Sequence, residues 1–205
     1  MLQFNSLRPN TLDVLEKTMA EPLLSKFVLV GGTALALHLG HRISDDIDLF
    51  VWERFDVDIL LEELAGSFNF TIKSKTPIGA HIFIKNVKTD LVYFPAKPLK
   101  KIIKEKEIRL LAVEDIAAMK MNTIANRGAK KDFYDVYFML EHYPLYKQIE
   151  FFKERFQSQD VFGLHRSLTY FADADLQEDI ILLKNKNLTW EQVKQKIIQE
   201  TRKIL

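Results

Sequence analysis

The chain has 205 residues, of which 47% are hydrophobic and 28% are charged, and its formal net charge at pH 7 is +1. These values are ordinary for a globular protein and exclude a strongly basic nucleic-acid-binding protein, although they allow a local basic patch. Because the chain has no cysteine, a disulfide framework and a thiolate metal site are also excluded.

The N-terminal stretch MLQFNSLRPN has no basic start followed by an apolar core, which is the pattern of a signal peptide. Apolar runs such as FVLV are far too short to span a bilayer. We therefore expect a cytoplasmic protein without a membrane partner.

The first hundred residues mix helix and strand signals. Apolar residues at helical spacing predict helices, short apolar runs predict strands, and alternation around a turn predicts a hairpin. In chain order, the predicted elements are a helix at 11–20, a buried strand at 26–30, a short helix at 33–39, a strand at 46–51, a helix at 56–68, a weakly alternating segment at 69–74 and a hairpin at 80–95 that turns around Asn86.

From about residue 100 the apolar residues follow helical spacing only, and no strand-like alternation is visible. The predicted helices lie at 113–126, 132–143, 146–157, 162–172 and 188–205. Thr189 and Gln192 form a capping box at the start of the last helix. A second Asp-x-Asp, ADAD at 172–175, is interpreted as a polar turn between helices. The sequence thus indicates an α/β domain at 1–98 and a helical domain at 99–205 packed against it.

The stretch DDID at 45–48 places two carboxylates close together at the start of a predicted strand. In a strand, Asp46 and Asp48 project to the same face, with Cα atoms roughly 7 Å apart, while Ile47 points into the core. Such a pair can hold Mg²⁺, which prefers oxygen ligands. A solvated strand end is the alternative, and Asp-x-Asp alone does not decide between them.

Gly31 and Gly32 stand upstream, between a predicted strand and a short helix. Glycine lets the backbone approach a ligand closely, and helix N-terminal amides favour phosphate, although a tight turn needs no ligand. Asp90, within the apolar strand KTDLVYF, is the candidate third carboxylate. It would hold a metal and accept the proton of an attacking hydroxyl. The alternative is an edge-strand carboxylate that faces water.

These motifs resemble the nucleotidyltransferases of the DNA polymerase β superfamily, and in particular the AbiEii/AbiGii toxin-like branch. That branch pairs GGTAL, here Gly31 to Leu35, with R-x-S/T-x-D-x-D, here Arg42 to Asp48. It also has a lysine on one helix of a helical second half and Arg-Asp-x-x-Asp at the start of the next helix. This chain has Lys120 and the segment KKDFYDVYF, in which Lys131 stands where the family has arginine. The resemblance spans nearly the whole chain.

The resemblance implies an α+β fold, in which a small mixed sheet of nucleotidyltransferase type, flanked by helices, is followed by an all-helical half. It implies a toxin-like enzyme that moves a nucleoside monophosphate from an NTP to an acceptor hydroxyl, with Mg²⁺ or Mn²⁺. The implied metal ligands are Asp46, Asp48 and Asp90, the further catalytic residues are Lys120, Asp132 and Asp135, and the nucleotide-binding residues are Gly31, Gly32, Thr33, Arg42, Ser44, Arg127 and Lys131.

The implied partners are an NTP, an RNA acceptor such as a tRNA end, and a separately encoded antitoxin. Asp132 and Asp135 are open to two interpretations. The resemblance implies that the pair acts in the active site, as a base or by orienting the basic groups, whereas in a structural role Asp132 simply caps the helix that follows. Two other functions also stay open. One is a non-catalytic module that binds a nucleotide or a protein partner on the same fold, and the other is a nucleotidyltransferase for small molecules.

Overall fold

A computed structural model describes residues 1–157 and 161–204. Its strands are β1 (Val28–Val30), β2 (Ile47–Val51), β3 (Phe70–Thr76), β4 (Gly79–Ile84), β5 (Val87–Tyr93), β6 (Ile103–Glu105) and β7 (Ile108–Leu110). Its α-helices are α1 (Pro9–Ala20), α2 (Gly31–Leu39), α3 (Val57–Leu64), α4 (Val113–Asn126), α5 (Lys130–Met139), α6 (Leu145–Phe156), α7 (Val161–Leu168), α8 (Ala172–Asp175) and α9 (Trp190–Arg202). In this described part, no helix is long and apolar enough to cross a membrane.

The strands form one mixed sheet in the order β3-β4-β5-β2-β1-β7-β6. β2 runs parallel to β5 and antiparallel to β1. β1 also runs parallel to β7. The central strands β1 and β2 alternate with helices in the chain, and the predicted α+β fold with a mixed sheet flanked by helices is confirmed. Leu49 and Leu91, which are register partners on β2 and β5, are almost fully buried in the core.

Turn residues explain where several elements end. Lys85 and Asn86 both have positive φ, which is the conformation of a type I′ turn, so the predicted hairpin is confirmed as β4 and β5. Gly40 has φ of 63° and ends α2 in the left-handed conformation. At the start of α9, Thr189 Oγ1 accepts from the Gln192 amide at 3.3 Å, and Thr189 N donates to Gln192 Oε1 at 2.9 Å.

The expectation that no strand follows residue 100 is wrong. β6 and β7 pair antiparallel with each other, and β7 adds to β1. Each has three residues, which is too short for alternation to be recognised in a sequence. The sheet therefore continues beyond residue 98, while the division into two domains there stays a prediction.

Two other details also differ from expectation. The ADAD segment is a short helix, α8, and its Asp175 accepts from Trp190 Nε1 at 2.6 Å. The last helix ends at Arg202, three residues earlier than predicted. Leu205, the end of the predicted helix, lies outside the described residues.

A buried ion pair joins the segment after β5 to two helices of the C-terminal half. The Asp115 carboxylate on α4 accepts from Arg155 Nη1 on α6 at 2.6 Å. It also accepts from the backbone amides of Leu99 and Lys100, at 2.8 and 3.0 Å. Because Asp115 and Arg155 have no exposed side-chain surface, these bonds fix the approach of the chain to β6 and position α4 against the sheet.

Candidate active site

A cavity of about 170 Å³ lies where β1, β2 and β5 meet the start of α2 and the helices α4 and α5. Every residue proposed for the site from the sequence lines it, with the exception of Asp135. The lining residues from that set are Gly31, Gly32, Thr33, Arg42, Ser44, Asp46, Asp48, Asp90, Lys120, Arg127, Lys131 and Asp132. The structure therefore brings together motifs that are up to a hundred residues apart in the chain.

Asp48 and Asp90 are register partners on the parallel strands β2 and β5. Side chains of register partners share a face, and neighbouring strands lie about 4.8 Å apart. The two carboxylates therefore face the cavity side by side. Burial raises the pKa of Asp48, and the charge of Asp90 raises it further. Among the described residues, no hydrogen bond or ion pair engages the Asp48 carboxylate, so its charge is uncompensated by direct contact.

Two basic side chains that the sequence did not single out contact Asp90. Lys88, two residues earlier on β5, places Nζ 3.0 Å from Asp90 Oδ2. His81 on β4 places Nδ1 2.8 Å from Asp90 Oδ1. This second pair lacks hydrogen-bond alignment, and both atoms are buried without a hydrogen-bond partner among the described residues. Because strand residues two apart share a face, the Lys88–Asp90 spacing was a signal that could have identified Lys88.

The carboxylates fit a divalent cation, although they do not form a ready-made cluster. In the described part of the chain, no group of three or more His, Cys, Asp or Glu side chains is arranged to hold a metal. Asp46 instead accepts from Lys131 Nζ at 3.1 Å. However, the Asp48 carboxylate has no direct partner among the described residues, and the Asp90 carboxylate lies beside it, so the pair offers the oxygen ligands that a divalent cation prefers. The residues present thus suit such an ion at Asp48 and Asp90.

The two glycines are required by close contacts within the protein. Gly31 has φ of 68°, and a Cβ there would lie 2.5 Å from Asp48 Oδ2. A Cβ on Gly32 would lie 2.5 Å from Arg42 Nη2. Among the residues that the structure describes, no side chain caps the start of α2, so its first amides are free to bind an anion at the cavity.

We expect Gly31→Ala to weaken both the fold and the site. A left-handed φ costs an L-residue about 1–2 kcal/mol, and the added methyl group displaces the Asp48 carboxylate. Urea unfolding should show this loss of stability, and calorimetry should show weaker NTP binding. Gly66→Ala is the control, because its Cβ would meet one backbone oxygen at 3.3 Å far from the cavity. An equal loss of NTP binding in both variants would contradict the role of Gly31.

Thr33 and Ser44 stabilise the loop that carries Asp46 into β2. Thr33 Oγ1 lies 2.8 Å from Ser44 Oγ and donates to the carbonyl oxygen of Asp46. Both residues are buried. Their hydroxyls therefore hold the start of α2 against the chain that enters β2, which fixes Asp46 relative to the glycines.

Asp135 lies behind the cavity wall and contacts three basic side chains. Its carboxylate accepts from Arg42 Nε at 2.7 Å and Nη2 at 2.9 Å. Lys120 Nζ lies 2.6 Å from Oδ2, and His41 Nε2 lies 2.8 Å from Oδ1. Because the Asp135 side chain has 0% exposed surface, it cannot touch a substrate in this arrangement. Its position fits the interpretation that it orients the basic groups.

The same cluster sets the charge states of its members. Burial opposes ionisation of Asp135, but the charges of Arg42 and Lys120 outweigh it and hold its pKa well below the usual range. Burial likewise opposes the charge of Lys120, yet the carboxylates of Asp132 and Asp135 raise its pKa. Burial lowers the pKa of His41 despite its bond to Asp135. The cluster therefore contains one carboxylate between two cations and a neutral imidazole at neutral pH.

Asp132 and Arg127 stand on the helical side of the cavity. Asp132 Oδ1 accepts from Lys120 Nζ at 2.7 Å. Its Oδ2 accepts from the Ala129 amide at 3.1 Å, so it also caps α5. Arg127 follows the last residue of α4 and makes no side-chain hydrogen bond or ion pair with the described residues. Its guanidinium is thus available to an anion in the cavity.

Similar folds occur in solved structures. A crystal structure from Helicobacter pylori matches with a TM-score of 0.59 at 19% identity, and the match covers 96% of this chain and 95% of that one. MenT4, a nucleotidyltransferase toxin from Mycobacterium tuberculosis H37Rv, matches with a TM-score of 0.54 at 16% identity, over 95% of this chain and 86% of that one. At these identities the likeness shows the fold alone.

Sequence comparison gives the family. An uncharacterized protein of Aquifex aeolicus strain VF5 is 31% identical over 186 residues, which are 85% of this chain and 88% of the relative. The family model described as "Nucleotidyl transferase AbiEii toxin, Type IV TA system" matches residues 13–203. The match includes both glycines, all the carboxylates and the basic residues that line the cavity, and the chain belongs to this family of nucleotidyltransferase toxins.

Proposed function

We propose that this protein transfers a nucleoside monophosphate from an NTP to an acceptor hydroxyl in a reaction that depends on Mg²⁺ or Mn²⁺. The observation that carries the proposal is the in-register pair of Asp48 and Asp90 beside the uncapped start of α2. Carboxylates for a cation and amides for phosphates thus face one cavity. This is the combination that phosphoryl transfer needs, because its catalysis is mostly positioning and charge stabilisation.

Asp48 and Asp90 would hold the divalent ion, and Asp46 would join them on release from Lys131. A bound Mg²⁺ or Mn²⁺ supplies charge stabilisation at the phosphate oxygens and promotes deprotonation of the acceptor hydroxyl. Asp90 takes the hydroxyl proton. The acceptor oxygen then bonds to the α-phosphorus, and the bond from that phosphorus to the bridging oxygen breaks, so that pyrophosphate leaves.

The triphosphate binds on the helical side of the cavity. The first amides of α2 donate to phosphate oxygens, and Arg127 contributes a free guanidinium from the end of α4. Lys120 can donate three hydrogen bonds, of which one goes to Asp132, while its contact with Asp135 is an ion pair, so donor capacity is left for a phosphate. Asp135 acts as a positioning residue, because it reaches the substrate only through Lys120 and Arg42.

The proposed acceptor is RNA, for example a tRNA end, and the proposed regulator is a separately encoded antitoxin. Membership of a toxin family of type IV toxin–antitoxin systems supports the antitoxin, and the RNA acceptor is what the resemblance of the sequence motifs implies.

Incubation with each labelled NTP, total RNA and Mg²⁺ or Mn²⁺ tests this function. We expect label to enter RNA with wild-type protein and not with Asp48→Asn. Parallel reactions with small hydroxyl compounds test the alternative small-molecule acceptor. NTP binding without transfer to any acceptor would favour a binding module and contradict the proposal.

Divalent ions should stabilise the fold by binding only its native state. Asp48→Asn should raise the melting temperature of the metal-free protein, because it removes a poorly solvated charge beside Asp90, and it should weaken the rise that Mg²⁺ or Mn²⁺ produces. Thermal unfolding with and without metal measures both effects. Asp56→Asn, at the start of α3, is the control and should keep the full metal response. The same response in Asp48→Asn would place the ion elsewhere.

A further inference from the structure

One face of the sheet continues outward from the cavity through β5, β4 and β3. Asp90 pairs in register with His81, and His81 pairs with Ser74. In the adjacent row, Lys88 pairs with Phe83, which pairs with Thr71. Register partners point to the same face, so these side chains form a continuous surface, the outer platform, defined as Thr71, Ser74, His81, Phe83 and Lys88.

The outer platform is open to solvent, whereas the reverse face of the same strands is core. On β4 the alternate residues Ala80, Ile82 and Ile84 are buried. Phe83 lies between them in the chain, is partly exposed and lies outside the hydrophobic core of the described residues. The His81 side chain is 40% exposed. A partly exposed aromatic ring beside an imidazole thus lies next to the carboxylate assigned as the proton acceptor.

The outer platform is connected to the cavity through His81, because His81 Nδ1 lies 2.8 Å from Asp90 Oδ1. The platform is also basic. Lys88 lies within it, and the exposed Lys73 sits at the β3 irregularity beside Ser74 and makes no ion pair with the described residues.

We propose that the outer platform binds the terminal nucleotides of a single-stranded RNA acceptor and directs a terminal hydroxyl towards Asp90. This inference rests on the proposed function. The NTP occupies the opposite side of the carboxylates, where α2 begins and Arg127 lies, so the acceptor must approach Asp90 from β4. Phe83 and His81 provide stacking surfaces for bases, and Lys88 and Lys73 provide charge for phosphates, as at other single-strand binding surfaces. The platform continues directly into the cavity through the His81–Asp90 contact.

Fluorescence anisotropy with a short fluorescein-labelled single-stranded RNA tests the platform directly. Phe83→Ala should weaken RNA binding by about 5- to 150-fold, the range that base stacking on an aromatic side chain is worth. Phe83→Trp should restore binding, which separates stacking from a defect in folding. Lys88→Gln should reduce the salt dependence of binding by about 0.7 in log K against log salt, as for one lost phosphate contact on a single strand.

Tyr146→Ala is the matched control, because Tyr146 is an exposed aromatic residue on α6, and it should bind RNA as the wild type does. NTP binding, measured by calorimetry, should be the same in Phe83→Ala and wild type. RNA binding that is unchanged in Phe83→Ala would overturn the proposal. It would also be overturned if Tyr170→Ala, which changes an exposed aromatic residue at a different pocket, weakened RNA binding instead.

The experiments distinguish a failure of the RNA-binding proposal for the outer platform from a failure of the proposed nucleotidyl transfer. RNA binding that depends on Phe83, without nucleotidyl transfer to any acceptor, would support the platform and contradict the function. Transfer to RNA with a KM for RNA that does not respond to Phe83→Ala would support the function and overturn the platform.

Discussion

Asp90→Asn should lower the rate of nucleotidyl transfer by about 10²–10⁴-fold, the contribution of a single general base, and by more if metal occupancy also falls. NTP affinity should change far less, because the amides of α2, Lys120 and Arg127 lie on the other side of the cavity. The substitution keeps the shape of the side chain, so Lys88 retains an oxygen to contact. Single-turnover transfer of labelled nucleotide, beside calorimetric NTP binding, measures the two quantities separately.

Asp45→Asn is the control for this variant. Asp45 belongs to the same DDID stretch, but its side chain is 49% exposed, pairs with Arg8 on the surface and does not line the cavity. It should transfer nucleotide at the wild-type rate. If Asp90→Asn transferred nucleotide at the wild-type rate, Asp90 would have no catalytic role. A parallel fall in NTP affinity and rate would assign it to substrate binding instead.

The local motifs of the cavity could be predicted because short-range geometry constrains them. A glycine pair between a strand and a short helix, followed by Asp-x-Asp at the start of the next strand, places both features at one end of β1 and β2. The contact distances now add a reason that the sequence alone did not give. Gly31 and Gly32 leave room for Asp48 Oδ2 and Arg42 Nη2. Glycine is therefore needed at both positions to accommodate these side chains, even without a bound ligand.

The pairing across the sheet could not be predicted, because it depends on strand order. Asp90 becomes the partner of Asp48 only because β5 lies beside β2 in parallel register, although a hairpin and a helix separate them in the chain. For the same reason His81 was missed, since it reaches Asp90 through the register of β4. β6 and β7 were missed because a strand of three residues is too short to show the alternation of apolar and polar residues that identifies a strand.

For Asp135, the sequence predicted a position near the active site but did not decide between a catalytic and a structural role. Its spacing from Asp132 places both on one side of α5, and both contact Lys120. Only Asp132 lines the cavity. Which of two carboxylates one helical turn apart faces a substrate depends on the rotation of the helix against its neighbours, and that is set by tertiary packing.

Asp135→Asn should lower the free energy of unfolding by about 3–5 kcal/mol, the cost of removing one partner from a buried ion pair. The substitution leaves the buried Arg42 without a carboxylate in contact among the described residues, while Lys120 keeps only Asp132. Asp13→Asn is a close control, because the Asp13 carboxylate also contacts two cations, Lys17 and Lys85, but is 41% exposed. Exposed ion pairs are worth only about 0–1 kcal/mol, so this variant should unfold almost as the wild type does.

The pH dependence of this loss of stability shows whether it comes from the charge of Asp135 or from packing. The two cations hold the pKa of Asp135 below its value of about 3.9 in an unfolded chain, so the unfolded state binds the proton first as the pH falls. The stability from Asp135 is therefore fully present above about pH 4–5 and is lost as the pH falls towards the folded-state pKa. The difference between wild type and Asp135→Asn should be constant from about pH 6.5 to 8, where His41 is neutral in the folded and unfolded states. Burial lowers the pKa of His41, and the Asp135 carboxylate raises it, so protonation of His41 below about pH 6.5 destabilises both proteins, and Asp135→Asn more strongly. Below about pH 4, the contribution of the Asp135 charge should shrink. Urea unfolding across this pH range measures the difference, and a loss that persists undiminished in acid would trace it to packing, with no role for the charge.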